Sequence, residues 1–194
     1  MKNLWCVFIG ELSDEEVNYI LQESENYKYQ KASVGVGEKQ IENLELRRSK
    51  IKFLNTFKSK YITDLIYHYA QIVNRSDFGF DINGVEDIQY TEYFSENEGY
   101  YGWHEDTIWC DSNSLSQRKI SFTLQLSDSE DYEGGDFEIK APDWKDFLDT
   151  LPEKNIRKKG TIILFPSFIT HRVTPVTKGI RKSLVSWVDG GMFR

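Results

Sequence analysis

Residues 90–106 read YTEYFSENEGYYGWHED and end in a histidine and an aspartate separated by one residue. Side chains on a β-strand alternate between its two faces. The spacing therefore predicts that His104 and Asp106 share a face and can bind one metal ion, while Glu105 faces away. A third ligand is available in residues 161–175, TIILFPSFITHRVTP, where His171 follows a hydrophobic, strand-like segment.

Two histidines and one carboxylate on one side of a metal are the arrangement used by non-haem Fe(II) oxygenases. Such an enzyme needs two electrons beyond those of its substrate, and 2-oxoglutarate provides them when it decarboxylates on iron. The far carboxylate of 2-oxoglutarate needs an anchor, which Arg181 can provide because a guanidinium binds a carboxylate through two parallel hydrogen bonds. On a strand Arg181 alternates with Ser183, Val185 and Trp187, so we expect it to face the interior.

The pattern of apolar and polar residues changes near residue 85, from helical spacing to short strand-like runs. Before it, Ser13 and Glu16 form a capping-box pattern that predicts a helix, and residues 56–74 predict a second amphipathic helix with Phe57, Tyr61, Leu65, Ile66, Tyr69 and Val73 on its apolar stripe. After it, short apolar or alternating runs are separated by turn residues, which is typical of a β-sandwich or barrel. Polar residues 141–158 interrupt this series and are interpreted as an insertion.

Composition limits the possible classes. A chain of 194 residues is most simply one domain, in which residues 1–84 give helical support and residues 85–194 form the β core. Residues 84–150 carry 4 basic and 17 acidic groups, whereas residues 151–194 carry 9 and 2. A general nucleic-acid binder would be basic overall, so the composition argues against nucleic acid as a partner. The basic segment, residues 151–194, is interpreted as a solvated face or as a rim that attracts an anionic substrate.

The two cysteines, Cys6 and Cys110, have no disulfide or zinc spacing, and both are interpreted as free thiols. The short apolar run at the N-terminus and the absence of long apolar stretches predict no membrane contact. These features together predict a cytoplasmic protein.

Residues 88–193 resemble the iron and 2-oxoglutarate dioxygenases of the prolyl 4-hydroxylase superfamily, especially the bacterial and phage PKHD-type hydroxylases. The resemblance is carried by QYTEYFSENEGYYGWHED, RKISFTLQLSDSEDYEGGDFEI, GTIILFPSFITHRVTPVTKGIRKSLVSWVDG and MFR. It implies a mainly β fold with flanking α, a double-stranded β-helix (jelly roll) with N-terminal helices packed on one sheet. It also implies that His104, Asp106 and His171 bind Fe(II) and that Arg181 holds 2-oxoglutarate, with ascorbate as a candidate reductant.

The resemblance extends to several flanking residues. Tyr93 and Tyr101 correspond to aromatic residues that contact the co-substrate, with Tyr90 a competing candidate, and Gln125 stands about where some relatives have a co-substrate-contacting tyrosine. Trp103, Trp109 and Trp187 are candidates for the substrate-lining wall. By contrast, His68 has no partner at metal-ligand spacing and is interpreted as a surface or half-buried helix residue.

The expected partners are 2-oxoglutarate, O2 and a primary substrate, for which the resemblance favours a peptidyl side chain, proline first. A small molecule, a nucleobase or a non-catalytic jelly-roll binding module are the alternatives, since jelly rolls also occur in lectins and capsid proteins. The segments expected to recognise the substrate, residues 28–50, 107–117 and 141–158, contain no transferable motif.

Overall fold

The computed structural model describes residues 1–31, 43–107, 109, 115–140 and 156–193. Its helices are α1 (Asp14–Ser24) and α2 (Lys60–Val73), the latter continued by a π-helical turn (Asn74–Phe78), and a 3₁₀ turn spans Ser95–Asn97. The strands in chain order are β1 (Cys6–Phe8), β2 (Gln30–Lys31), β3 (Arg47–Arg48), β4 (Lys50–Leu54), β5 (Gly84–Phe94), β6 (Tyr100–His104), β7 (Ser116–Gln125), β8 (Tyr132–Gly134), β9 (Phe137–Ile139), β10 (Ile162–Pro166), β11 (His171–Val173) and β12 (Val176–Gly191).

Two antiparallel sheets form the β core. Within the described residues the major sheet has the order β1-β10-β7-β12-β5-β4-β2, with β8 also paired to β12, and the minor sheet has the order β3-β6-β11-β9. This arrangement confirms the predicted jelly roll with flanking helices. The region before residue 85, predicted as mainly helical support, also supplies strands to both sheets.

The two N-terminal helices cover one face of the major sheet. The capping box of α1 is confirmed: the Glu16 backbone N–H donates to Ser13 Oγ, and Glu16 Oε2 accepts from the Ser13 backbone N–H at 2.8 Å. The apolar stripe predicted for α2 is partly wrong, because Phe57 is 91% exposed and precedes the helix, while Tyr61 is 41% exposed. The buried positions of α2 are Ile62, Ile66, Ala70 and Val73.

The long strand β12 separates the two hydrophobic clusters. Its Leu184 and Val188 pack with the helices in one cluster. Arg181, Ser183, Val185 and Trp187, which point the other way, line a cavity between the two sheets. The alternation that the sequence predicted for this strand is therefore present, and it places a charged residue inside the jelly roll.

Two consecutive glycines lie beside this strand. Gly134 and Gly135 both have left-handed backbone angles, with φ of 69° and 64°, which glycine adopts without steric cost. A Cβ on Gly135 would also lie 3.0 Å from Cδ of Arg181. The glycine therefore leaves room for the buried arginine stem.

Parts of the three segments predicted to recognise the substrate lie outside the described residues. These parts are residues 32–42, residues 108 and 110–114, which include Cys110, and residues 141–155. Cys6 is a free thiol, and burial raises its pKa to about 12. Within the ranges described, no helix combines the length and the apolarity that crossing a membrane requires.

Candidate metal centre and co-substrate pocket

His104, Asp106 and His171 converge at one end of the minor sheet. His104 ends β6 and stands opposite His171, which begins β11. Asp106 lies beside His104, as the spacing predicted, although β6 ends at His104. Beyond the strand end, the Asp106 backbone N–H donates to the Ser167 carbonyl at 2.8 Å. One ligand atom from each of the three side chains lies within 4.8 Å of the others.

Both imidazoles have the tautomer that a metal ligand requires. Nδ1 of His104 lies 2.8 Å from the Gly102 carbonyl oxygen, and Nδ1 of His171 lies 2.9 Å from that of Ile169. A carbonyl oxygen can only accept, so each Nδ1 carries the proton and each Nε2 keeps its lone pair. These Nε2 atoms lie 3.8 Å and 3.5 Å from the carboxylate oxygens of Asp106.

Two serines hold the Asp106 carboxylate. Ser121 Oγ donates to Asp106 Oδ2 at 2.6 Å and lies 3.0 Å from Ser167 Oγ. Because the Ser121 proton is used on Asp106, the Ser167 hydroxyl donates to Ser121. This chain fixes the orientation of a side chain that is only 8% exposed, as hydrogen-bonded neighbours of metal ligands commonly do.

The electrostatics favour a neutral His104 beside an ionised Asp106. Burial is the largest influence on His104 and lowers its pKa, and neighbouring His171 lowers it further. Burial alone would raise the pKa of Asp106, but His171, His104, Arg118 and the Ser121 hydrogen bond together lower it. The three groups therefore present two imidazole nitrogens and one carboxylate, the donor set that suits Fe(II).

A cavity of about 130 Å³ connects this cluster to Arg181. Arg181 is 1% exposed, and its Nη2 donates to Gln125 Oε1 at 3.0 Å while Nη1 donates to Ser183 Oγ at 3.3 Å. Its Nε is buried and has no hydrogen-bond partner among the described residues. A buried donor left unpaired is costly, and a carboxylate in the cavity would satisfy it, so the pocket fits the distal end of 2-oxoglutarate.

Residues 88–189, just over half of the chain, match the family described as the 2OG-Fe(II) oxygenase superfamily. The chain belongs to this superfamily. Its curated relatives include PKHD-type hydroxylases of Synechococcus sp. (strain JA-2-3B'a(2-13)), 43% identical over 46% of this chain and 37% of the relative, and of Idiomarina loihiensis, 42% identical over 46% and 37%. The matched stretch thus spans well under two thirds of the length of these relatives.

Solved structures of oxygenases of this kind share the fold. A viral collagen prolyl hydroxylase from Paramecium Bursaria Chlorella virus-1, in a 2OG complex, has a TM-score of 0.67 at 20% identity and covers 97% of both chains. A prolyl hydroxylase from Trichoplax adhaerens, in complex with a hypoxia inducible factor oxygen degradation domain peptide fragment, has a TM-score of 0.71 at 17% identity and covers 96% of this chain and 83% of its own. At these identities the likeness concerns the jelly roll itself.

The tyrosines predicted to contact the co-substrate in this oxygenase fold differ in position. Tyr93 and Tyr101 both line the cavity, and the Arg181 guanidinium carbon lies 5.5 Å from the centroid of the Tyr93 ring. Burial raises the pKa of Tyr101 to about 12, so its hydroxyl stays protonated. Tyr90 lies on the opposite face of β5, in the helix-side cluster, where its hydroxyl donates to Glu92 at 2.7 Å, so it is not a co-substrate contact.

Of the three tryptophans predicted to line the oxygenase pocket, one does so. Trp187 lines the cavity and is 7% exposed, and its buried Nε1 donor has no partner within the residues that the structure describes. Trp103 and Trp109 are 41% and 53% exposed and lie outside the cavity wall. The Arg172 guanidinium packs 4.5 Å from the Trp103 ring centroid, and Trp109 Nε1 donates to Glu105 at 3.1 Å.

Two further arginines line the oxygenase cavity. Sequence reasoning missed Arg47, whereas Arg118 and Lys119, near the start of β7, are its next candidates for the co-substrate anchor after Arg181. Arg47 lines the cavity from the minor sheet. Arg118 also lines it, stacks 3.8 Å from the Trp187 ring centroid, and binds Glu86 through two hydrogen bonds of 2.8 Å and 2.9 Å. The sequence considered Arg118 as an alternative co-substrate anchor, but this pairing occupies its guanidinium. No local sequence signal marks the partners of Arg118, because Glu86 and Trp187 lie on strands that are distant from it in the chain.

We predict that His171→Ala weakens metal binding and that His68→Ala does not. His171 presents Nε2 to Asp106, whereas His68 lies exposed on α2, 5.5 Å from the Tyr69 ring centroid. Since loss of a mere hydrogen-bond partner of a ligand costs about 10–100-fold in affinity, loss of His171 should cost at least that much. Calorimetric titration with Mn(II) measures the effect, and equal losses in both variants would show that the three-residue cluster is not the metal site.

Proposed function

We propose that this chain is a Fe(II)- and 2-oxoglutarate-dependent dioxygenase that hydroxylates a C–H bond of a peptidyl side chain, proline first, and releases succinate and CO2. The observation that carries the proposal is the pairing of two sites in one cavity. A cluster of two histidines and a carboxylate lies at one end, and a buried arginine whose Nε has no partner among the described residues lies at the other. Family membership supports the same chemistry.

In this proposal His104, Asp106 and His171 hold the iron, and Arg181 holds the far carboxylate of 2-oxoglutarate. When bound, the pair would supply oxidising power: one atom of O2 ends in succinate, formed with loss of CO2, and the other enters the substrate C–H bond. The protein contributes positioning and exclusion of water. Phe137, Phe165 and Val173 supply apolar parts of the cavity wall for the second task.

Gln125 and Ser183 position the Arg181 guanidinium and remain beside it as polar contacts for the co-substrate. Tyr93 and the protonated Tyr101 hydroxyl are donors on the same path between metal and arginine. A bound carboxylate would pair with Nε of Arg181, and the neighbouring hydroxyl and amide groups would orient it. Each of these roles is carried by a side chain that the sequence singled out, with Ser183 as an interior-facing neighbour.

A peptidyl substrate is supported by the second unpaired donor of the cavity. The Trp187 Nε1–H is buried and has no acceptor in the described part of the chain, and a peptide carbonyl of the substrate would satisfy it. The solved structure of the Trichoplax adhaerens prolyl hydroxylase, which has the same fold, includes a bound peptide fragment. A tryptophan donor beside the metal cluster is thus suited to a substrate rich in backbone carbonyls.

The first test is succinate formation from 2-oxoglutarate by the purified protein with Fe(II), O2 and ascorbate. Proline-containing peptides are added to the same reaction, and their products are analysed by mass spectrometry. We expect succinate that depends on iron and oxygen, and a peptide product heavier by one oxygen. Omission of ascorbate tests its proposed role as reductant. Metal binding without any succinate would instead favour the non-catalytic binding module, and oxidation of a nucleobase or small molecule without peptide oxidation would overturn the substrate assignment.

A further inference from the structure

We propose that the primary substrate carries a carboxylate close to the carbon that is hydroxylated, and that Arg47 binds this carboxylate. The inference rests on the proposed function and narrows its substrate class. Arg47 lies in β3, in register with Tyr101 of β6. It is 6% exposed and lines the same cavity as the metal cluster.

The Arg47 charge is not neutralised by a carboxylate among the described residues. Its Nε donates to Ser49 Oγ at 2.8 Å, and its guanidinium carbon lies 4.6 Å from the Tyr101 ring centroid. Arginine does not lose its proton in proteins, and a buried charge without a partner is strongly unfavourable. One serine and one aromatic face compensate only part of this cost, so the site is suited to an anion.

The other cationic residues of the described cavity wall, Arg118 and Arg181, already have a partner or an assigned ligand, and the two carboxylates of this wall are Asp87 and Asp106. Arg118 is paired with Glu86 through two hydrogen bonds. Arg181 is assigned to the co-substrate, and Asp106 belongs to the metal cluster. Arg47 is therefore the guanidinium within the described wall that remains for a second anionic group.

The position of Arg47 shows where a bound anion would lie relative to the metal cluster. Tyr101 stacks on His104 with ring centroids 3.5 Å apart and an interplanar angle of 15°, so guanidinium, phenol and imidazole form three successive layers. Arg181 belongs to the major sheet, whereas Arg47 approaches from the minor sheet. A substrate carboxylate on Arg47 would thus lie in the same cavity as the metal cluster, one aromatic ring away from His104, and on the other sheet from the arginine assigned to the co-substrate. In a peptide, an acidic residue next to the hydroxylated residue, or a chain terminus, provides such a group.

The experiment compares acid and amide forms of one scaffold. N-acetyl-L-proline and N-acetyl-L-prolinamide form the first pair, acetyl-prolyl-glutamate amide and acetyl-prolyl-glutamine amide the second, and the free amino acids with their amides complete the panel. Each probe is titrated without oxygen into protein loaded with Mn(II) and saturating 2-oxoglutarate, so that Arg181 is occupied. We expect at least one acid to bind about tenfold or more tightly than its amide.

Variants assign this preference to Arg47. Arg47→Gln should abolish the difference between acid and amide, and Arg47→Lys, which keeps the charge, should retain part of it. Arg48→Gln is the matched control, because the Arg48 side chain is 39% exposed, stacks on Tyr100 outside the cavity and lies 3.9 Å from Glu98. It should bind the probes as the unaltered protein does.

Two outcomes overturn the inference. One is the absence of any acid preference across the panel, and the other is a preference that survives in Arg47→Gln. A fall in 2-oxoglutarate affinity in Arg47→Gln, equal to the loss for the acid probe, would assign Arg47 to the co-substrate and would also overturn it. The proposed function fails differently: the unaltered protein would bind no 2-oxoglutarate in the presence of Mn(II) and form no succinate with Fe(II).

Discussion

Asp106→Ala is expected to abolish iron-dependent turnover and to lower metal affinity by more than about a hundredfold. The estimate follows because neighbours that only hydrogen-bond to a ligand are worth about 10–100-fold, and Asp106 is the sole carboxylate in the described cluster. The protein should remain folded, since the change removes a buried charge whose hydroxyl neighbours, Ser121 and Ser167, already lie within 3.0 Å of each other. Titration with Mn(II) and succinate formation with Fe(II) measure the two effects.

Asp87→Ala is the control for this prediction. Asp87 also lines the cavity, but the charges that act on its pKa are Glu86 and Arg118, not the histidine pair. Its replacement should leave Mn(II) affinity unchanged. Succinate production by Asp106→Ala at the unaltered rate would mean that the carboxylate ligand has been assigned to the wrong residue.

Arg181→Lys is expected to raise the concentration of 2-oxoglutarate needed for half-maximal turnover by roughly tenfold or more. Lysine keeps the positive charge, but it replaces a planar two-pronged donor by a point charge on a different stem. A hydrogen bond to a charged group is worth about 1.5–3 kcal/mol, and each 1.4 kcal/mol is about tenfold. Metal binding should survive, because Arg181 interacts with Gln125 and Ser183 and not with the histidine cluster.

Arg172→Lys is the matched control, since Arg172 is next to His171 but pairs with Glu138 at 2.6 Å, with its side chain 37% exposed. It should leave the 2-oxoglutarate requirement unchanged. An Arg181→Lys variant with an unchanged requirement but weaker metal binding would show that Arg181 is structural. The anchor would then be sought at Arg118, whose pairing with Glu86 the co-substrate would have to replace. Lys119 is the poorer candidate, because it packs against the Phe193 ring at 3.2 Å from its centroid and lies outside the cavity wall.

The alternation of residues along strands was readable from the sequence because it depends on local backbone geometry. It predicted an interior face of β12 with Arg181 on it, and the capping box predicted the start of α1. The spacing of His104 and Asp106 also predicted that the two side chains lie together. Asp106, however, is two residues past the end of β6, and it is held there by a backbone hydrogen bond to Ser167, which lies 61 positions further along the chain. Strand geometry describes the residues of the strand, and a long-range contact fixes the residue beyond its end.

The sequence by itself determined the residue types of the site: two histidines, an aspartate and an interior arginine at spacings that suggest a metal and a co-substrate. Only the tertiary structure decided which tyrosines and which tryptophan line the cavity. It also showed that Ser121 orients Asp106 and that Arg47, which lines the same cavity, has no carboxylate partner among the described residues. The physical reason is that these relations depend on register between strands far apart in the chain. Arg47 reaches Tyr101 through the β3–β6 pairing, and His171 reaches His104 through the β11–β6 pairing, and no local pattern encodes either register.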